Sequence, residues 1–570
     1  MSLMKKKLIF WAVLLFSFWG LAFSVLALKS ADVNGDGKVN GADLILVLKS
    51  WQTSGFIPED IDENQRVNNL DAGWVIKNFG QTSPSPSVSP VSATDWPTLA
   101  HDNQRTSYTP QEIRPPYRYL WRWHEVPFAS RTQPVVANGI LYIGSVNNKM
   151  YALEAKTDKN GGPPQIKWSY QTNGPIRATA AVYEGKVIFG SHDSYIYALN
   201  AQNGALIWRY KTKAGLMAAP LVFNNIVYIG SRDGIFYALN SQNGSLVWWY
   251  QADGPISIPA SLSGDNSKIF FGTENMSAYA LKVADGSLLW KKSLHGQSLM
   301  NGWPVVVGDK VIFRTMPGFA PLVDILQRYG DEVMDRAGSL RSNWEEDWNL
   351  VRPQIISHLN QNPEQKTFYV LNINNGEEAY TAPVLYTSGD QETPTPPITD
   401  GVNVYVVYRA RHGIQTDGGS THVSSKYDCE LGKMDIASGD IAPLKLASGQ
   451  TWNDGLWDMT SDEPNNLLLG GKIIYIDHWT RIGGQDITNG ISQSTAFAIA
   501  NVADNWPECF ANCPGRSGPM PFFPNYPFGK PRTGEGPFHG QAVIADGVLF
   551  WLSSHNSLGA IAGTVKNVNN

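Results

Sequence analysis

Four stretches of this chain repeat one pattern at a near-constant interval, and that repetition constrains the fold more than any other feature. Ile140-Leu-Tyr-Ile-Gly144-Ser leads to Met150-Tyr-Ala-Leu, and Val187-Ile-Phe-Gly190-Ser leads to Ile196-Tyr-Ala-Leu. Val227-Tyr-Ile-Gly230-Ser precedes Phe236-Tyr-Ala-Leu, and Ile269-Phe-Phe-Gly272-Thr precedes Ala278-Tyr-Ala-Leu. Each unit continues through a turn such as Gln202-Asn-Gly204 into a strand carrying Trp168, Trp208, Trp248 or Trp290, spaced 40, 40 and 42 residues apart. Short apolar strands, Gly-rich turns and this period predict four-stranded propeller blades, each burying its faces only against its neighbours.

Degenerate copies follow. Val311-Ile-Phe pairs with Phe368-Tyr-Val-Leu, and Val404-Tyr-Val-Val with Leu431-Gly-Lys-Met. Ile473-Ile-Tyr-Ile pairs with Ala496-Phe-Ala-Ile, and Val548-Leu-Phe-Trp with Leu558-Gly-Ala-Ile. The count predicts an all-β, eight-bladed β-propeller over residues 95–570, seven blades being the alternative. The opening segment Asp95–His124, with Tyr119-Leu-Trp121, is expected to supply the outer strand of the last blade and close the ring. These repeats and the opening Asp95-Trp96-Pro97 resemble the pyrroloquinoline-quinone (PQQ) repeat family over about residues 95–562. That family contains quinoprotein dehydrogenases, which hold the cofactor on the ring axis, and propellers that bind no quinone. The resemblance therefore implies a fold without settling a function.

Ahead of the repeats the chain has three further parts. Lys5, Lys6 and Lys7 precede an uncharged run from Leu8 to Leu28, long enough to span a bilayer and placed like an export signal. Residues 1–28 thus read as a signal peptide or a membrane anchor. Either way the body is extracellular, secreted or tethered to the outer side of the cytoplasmic membrane.

Residues 29–80 hold a duplicated loop. Asp32, Asn34, Asp36, Asn40 and Asp43 recur as Asp60, Asp62, Asn64, Asn68 and Asp71, with Lys38 and Arg66 at the position that offers a backbone carbonyl. A hard cation such as calcium needs that convergence of oxygens in one tight loop. Each loop leads into an apolar segment of helical character, Leu44–Trp51 and Trp74–Phe79. The pattern resembles a type I dockerin, a small EF-hand-like helical module. It implies calcium as cofactor and a cohesin-like or other surface protein as partner. Gln65 stands where the first loop has Gly37, and Gly41-Ala42 and Asn69-Leu70 depart from the usual partner-choosing pair. Residues 81–94 alternate Ser and Pro and read as an extended linker.

Net charge is −5 over 570 residues, so there is no basic field for nucleic acid. The cysteines are Cys429, Cys509 and Cys513; the last two either bridge a short loop or stay free.

Within the propeller, let strands A to D run from the axis outward in each blade. A–B turns are short throughout. Extra length falls between B and C at about Met316–Lys366, Arg409–Lys433 and His478–Ser494, and between D and A at Ala447–Leu467 and Asn505–Phe538. All of these lie on one face, over blades five to eight. The first insertion is helical in pattern, through Leu322, Ile325, Leu326, Tyr329, Val333 and Met334, then Trp344, Trp348 and Val351. The residue seven before each A–B turn is expected at the mouth of the axial funnel: Arg131, Arg177, Met217, Ser257, Asn301, Thr393, Glu463 and His539. Of these Arg131, Arg177, Asn301, Glu463 and His539 suit a small anionic or carbohydrate ligand.

The sequence favours an exported, non-catalytic binding or scaffold protein, part of an extracellular polysaccharide-related assembly. One alternative is a quinoprotein dehydrogenase, for which PQQ would be the cofactor. No adjacent cysteine pair of the kind many such enzymes use is present, and their calcium ligands do not align. A second alternative is a polysaccharide hydrolase, for which Asp454, Asp458, Asp462 and Glu463 are the clustered carboxylates.

Overall fold

The structure is a computed structural model that describes most of residues 95–567. Residues 1–94, 316–343, 385–394, 445–465 and 502–541, with shorter stretches, lie outside the described part. The dockerin-like ligands, the N-terminal apolar run and the linker therefore fall outside it. Among the described residues no helix is long and apolar enough to cross a membrane.

Eight four-stranded antiparallel sheets form the ring, one of them extended by a fifth, parallel strand. Blade one is typical: A is Val135–Ala137, B Ile140–Gly144, C Lys149–Glu154 and D Ile166–Gln171. B and C are buried along almost their whole length, because both faces of each sheet are covered by neighbouring blades. A–B turns such as Asn138-Gly139 have φ of 52° and 73°. Two successive positive φ values give the turn whose twist matches a tight hairpin.

The repeated Trp locks blade to blade. Trp208 Nε1 donates to the Ser241 carbonyl at 2.9 Å and Trp290 Nε1 to the Ile373 carbonyl at 2.9 Å. A Cβ added to Gly244 would lie 2.7 Å from the Trp208 ring, so the indole rests directly on backbone of the next blade. Blade five has no Trp at this position. Tyr380 substitutes for it, donating to the Ile436 carbonyl at 3.0 Å above Gly439.

Closure occurs as expected, but by fewer residues. Gln111–Trp123 pairs antiparallel with Leu558–Asn567 as the outer strand of blade eight. The preceding residues 96–109 do something else: they run round the inside of the ring. Trp96 bridges to Val136 in blade one, and the Val182 amide of blade two bonds the Pro97 carbonyl. Asn103 reaches Val222 in blade three and Leu262 in blade four. Gln104, Thr106 and Ser107 accept from Val306, Thr399 and Leu469 in blades five, six and seven. Tyr108–Thr109 then adds a parallel strand inside blade seven. One segment thus caps the open inner edges of seven sheets. An outer strand has only one neighbour and shows its repeat plainly. The axial segment bonds through irregular backbone, so no periodicity marks it.

Two other expectations change. In blade seven, Arg481–Asp486 is strand C and Thr495–Asn501 is strand D, so residues 478–494 are not a B–C insertion. The Gly483-Gly484 pair breaks the apolar alternation that marks strand C elsewhere. In blade six, B and C lengthen to Val404–Arg411 and Tyr427–Met434, with a small hairpin, Gln415–Asp417 and Ser420–His422, beyond them. In the blade-five insertion a helix spans Trp344–Gln361, with Ile355 and Leu359 buried among the core residues of blades five and six. The first half of that insertion lies outside the described residues.

Candidate funnel site

Two sets of residues meet at the B–C and D–A face. The first, seven residues before the A–B turns, is described at Arg177, Met217 and Ser257. The second is the first residue of each B–C turn: Val146, His192, Arg232 and Glu274 in blades one to four. Backbone bonds hold the two sets together. His192 N donates to the Pro175 carbonyl at 3.0 Å and Glu274 N to the Pro255 carbonyl at 2.8 Å. Each turn is thus anchored to the connection that enters its own blade.

In blades three and four this registration assembles a polar chain. Ser257 Oγ donates to Glu274 Oε1 at 2.5 Å and lies 4.0 Å from the Met217 sulfur. Arg232 Nε sits 3.5 Å from the same carboxylate oxygen. Arg177 is half-buried on the next connection, and its carbonyl accepts from Thr132 Oγ1 at 3.2 Å. The structure therefore describes Arg177, Met217 and Ser257 of the expected ring, and brings Met217 and Ser257 together. Arg131, Asn301, Thr393, Glu463 and His539 lie outside the described residues, as do Asp454, Asp458 and Asp462.

Below that ring is a deeper one, two residues further on: Gln133, Thr179, Ala219, Pro259, Trp303 and Thr395. In blade one this position faces the axis, since Gln133 Oε1 accepts from Trp96 Nε1 at 3.2 Å and from the Ala100 amide at 2.7 Å. Blade five places Trp303 here, 8% exposed, in the same buried cluster as Leu99, Ala100 and Ala219. Its Nε1 has no hydrogen-bond partner among the described residues.

Beside it a repeat position has changed identity. Blades one to four end strand B in Gly144, Gly190, Gly230 and Gly272. There an added Cβ would fall within 2.1–2.9 Å of Ile176, Leu216, Ile256 or Leu299 of the next blade. Blade five has Arg314 instead. The side chain is 5% exposed, Nη1 donates to the Thr395 carbonyl at 2.5 Å, and the guanidinium lies 5.7 Å from the Phe368 ring centroid. A buried cation and a buried indole thus share the axial end of blades five and six. Arg232, Glu274, Trp303 and Arg314 were all missed from sequence. The signal was available, as variable residues in an invariant repeat frame.

The floor is the axial segment. Arg105 is fully buried there, donating from Nε to the Ala260 carbonyl at 2.9 Å and from Nη1 to Thr98 Oγ1 at 2.9 Å and the Leu99 carbonyl at 2.7 Å. Burial lowers its pKa to about 10, against a smaller upward pull from Asp102. Among the described residues no group of three His, Cys, Asp or Glu side chains is placed to hold a metal.

Fold and site together define a propeller of PQQ-like repeats with an axial funnel floored by its own N-terminal segment. Comparison with known proteins agrees. A family model described as outer membrane protein assembly factor BamB matches residues 165–426. The quinone alcohol dehydrogenase subunit of Gluconobacter oxydans is 32% identical over 99 residues, 15% of this chain and 12% of that protein. The quinoprotein ethanol dehydrogenase of Pseudomonas aeruginosa is 30% identical over 85 residues, 13% of each chain. The matched segments are thus a small part of either relative. Among solved structures, the quinohemoprotein alcohol dehydrogenase of Comamonas testosteroni has a TM-score of 0.50 at 12% identity, covering 84% of this chain and 82% of its own, a likeness of fold.

Proposed function

We propose that this chain is an exported quinoprotein of the dehydrogenase kind, binding a planar, carboxylate-bearing quinone of the PQQ type within the axial funnel. The observation that carries the reading is the burial of both an indole, Trp303, and a guanidinium, Arg314, on the funnel side of blade five. An indole offers a flat apolar face, and its N–H, without a partner among the described residues, suits an acceptor. A buried guanidinium suits a carboxylate or quinone oxygen. The two dehydrogenase relatives support the same ligand class. This reading replaces the non-catalytic one as first choice.

When bound, such a quinone would accept two electrons from an alcohol substrate. The protein's part is to bind and orient. Arg314, fixed by the Thr395 carbonyl, would anchor one anionic edge. Arg177 would add charge at the rim. The Ser257–Glu274–Arg232 chain holds one carboxylate in place with its charge partly balanced, so a neighbouring anion meets less repulsion. The axial segment, bonded to the inner strands, would form the floor beneath the ligand.

The test is equilibrium dialysis of the purified chain against PQQ, with and without calcium, followed by ethanol-dependent dye reduction. Binding that weakens in Trp303→Ala and Arg177→Ala is the expected result. Absence of binding would sink the proposal and favour the second reading, a binding or assembly propeller without redox chemistry, which the family-model match supports. Calcium binding by residues 31–80, docking to a cohesin-like partner and a polysaccharide setting belong to that second reading and rest on sequence.

A further inference from the structure

Nine large apolar side chains stand exposed among the described residues, and seven sit on the outer strands of blades one to four. Each of these D strands opens with a β-bulge, such as that between Leu206 and Trp208. A bulge turns two successive residues outward. Leu206 and Ile207 are 42% and 39% exposed, Leu246 and Val247 are 42% and 50%, and Trp249 is 55%. Exposed apolar side chains recurring at the same position of successive outer strands mark an interaction surface.

Charge decides what the surface meets. The four strands carry Lys167, Arg209, Lys211, Lys291 and Lys292 and no Asp or Glu, on a chain whose net charge is negative. Lys167 pairs with Glu154 at 3.5 Å and Lys291 with Asp253 at 2.8 Å. Arg209 and Lys211 lie over the Tyr195 ring, 5.0 and 5.8 Å from its centroid. With Lys292, they have no carboxylate partner among the described residues. The uncharged strand Leu246–Gln251 is thus flanked by basic strands on both sides.

We infer that the outer rim of blades two to four docks on an anionic lipid surface. Trp249 would lie at the headgroup level and Leu246 and Val247 just below it. An exposed indole, short aliphatics and cations not neutralised by a described carboxylate are the composition that the interface of a charged bilayer selects. A second copy of this chain fits less well, because a twofold contact through blade three sets the cations of blade two against those of blade four. A lipid surface resting on blade three draws the cations of both flanking blades toward its anionic headgroups by long-range attraction and needs no shaped groove.

The full chain, labelled with fluorotryptophan, would be placed in bicelles of phosphatidylcholine with or without phosphatidylglycerol, doped with spin-labelled lipid. The fluorine resonance missing from Trp249→Phe identifies Trp249. This exposed residue can be replaced without disturbing the core. The expected result is loss of that resonance by broadening on anionic bicelles and not on zwitterionic ones. It should reappear in the double variant Arg209→Glu, Lys211→Glu, and at high salt, which screens exposed charge. Equal line widths on both lipids, or broadening that survives charge reversal, would overturn the inference. A shift that depends on protein concentration without lipid would overturn it in favour of a second copy.

Discussion

Arg105 Nε donates to the carbonyl of Ala260, 155 residues further along the chain, at 2.9 Å. That bond and the one to Pro220 tie the axial segment to the starts of the inner strands of blades three and four, while those to Thr98 and Leu99 fold the segment on itself. Arg105→Met keeps the length and removes the donors, leaving several buried carbonyls unpaired. A loss of about 3 kcal/mol is expected. Urea unfolding monitored by tryptophan fluorescence checks it. An unchanged midpoint would mean the axial segment contributes no stability.

The docking indoles give a graded series. Trp290→Ala opens a cavity against Gly376 and should cost about 3–5 kcal/mol. Trp290→Tyr should cost clearly less, because Tyr380 already fills the equivalent place in blade five and keeps its bond to a carbonyl. Equal losses for the two variants would show that the hydrogen bond and ring contact do not matter.

Alkaline stability follows from the tyrosines. Burial raises the phenol of Tyr228 to about 12, and burial with a smaller push from Asp400 raises Tyr405 to about 12. Burial pushes Tyr142, Tyr369 and Tyr475 up as well. Unfolded tyrosine ionises near its ordinary value of 10. A folded pKa above the unfolded one contributes stability that is complete below about 10 and lost as pH climbs toward 12. Circular dichroism melts from pH 8 to pH 12 should fall steeply only above about 10. A flat profile there would contradict the burial of these phenols.

At the funnel, Arg177→Ala should weaken binding of the anionic quinone by about 1–3 kcal/mol. Glu274→Gln keeps the bond with Ser257 but removes a negative charge, and should tighten it. Asp309→Ala, in an A–B turn on the opposite face, should change little. Isothermal titration separates the outcomes. If Asp309 matters and Arg177 does not, the ligand enters from the other face.

Calcium should bind in the N-terminal repeat. Terbium luminescence sensitised by tryptophan, competed by calcium, is expected from the full chain. Asp32→Ala should remove one site while Asp60→Ala removes the other, since each supplies the first carboxylate of its loop. No competition by calcium would end the dockerin-like reading.

The eight blades, their strand order and the closing outer strand were legible because each element repeats a local pattern. Apolar alternation, a Gly-bearing turn and a Trp recur whenever a sheet must pack between two others. Blade seven was misread where Gly483-Gly484 interrupts that pattern. The candidate site was legible only in part. The position seven before each turn led to Arg177, Met217 and Ser257, but Glu274 comes to Ser257 from a different connection, through a backbone bond between Glu274 and Pro255.

Sequence alone determined the propeller of short repeated blades, eight being its first count, and the frame in which substitutions such as Arg314 stand out. These are properties of a repeat, and a repeat is local. Only the tertiary structure decided that residues 96–109 leave the outer strand to cap seven inner edges. It alone decided that Trp303 and Arg314 share the axial end of blades five and six. Such relationships depend on which backbone groups remain unpaired once the ring has closed, and no single stretch of sequence encodes them.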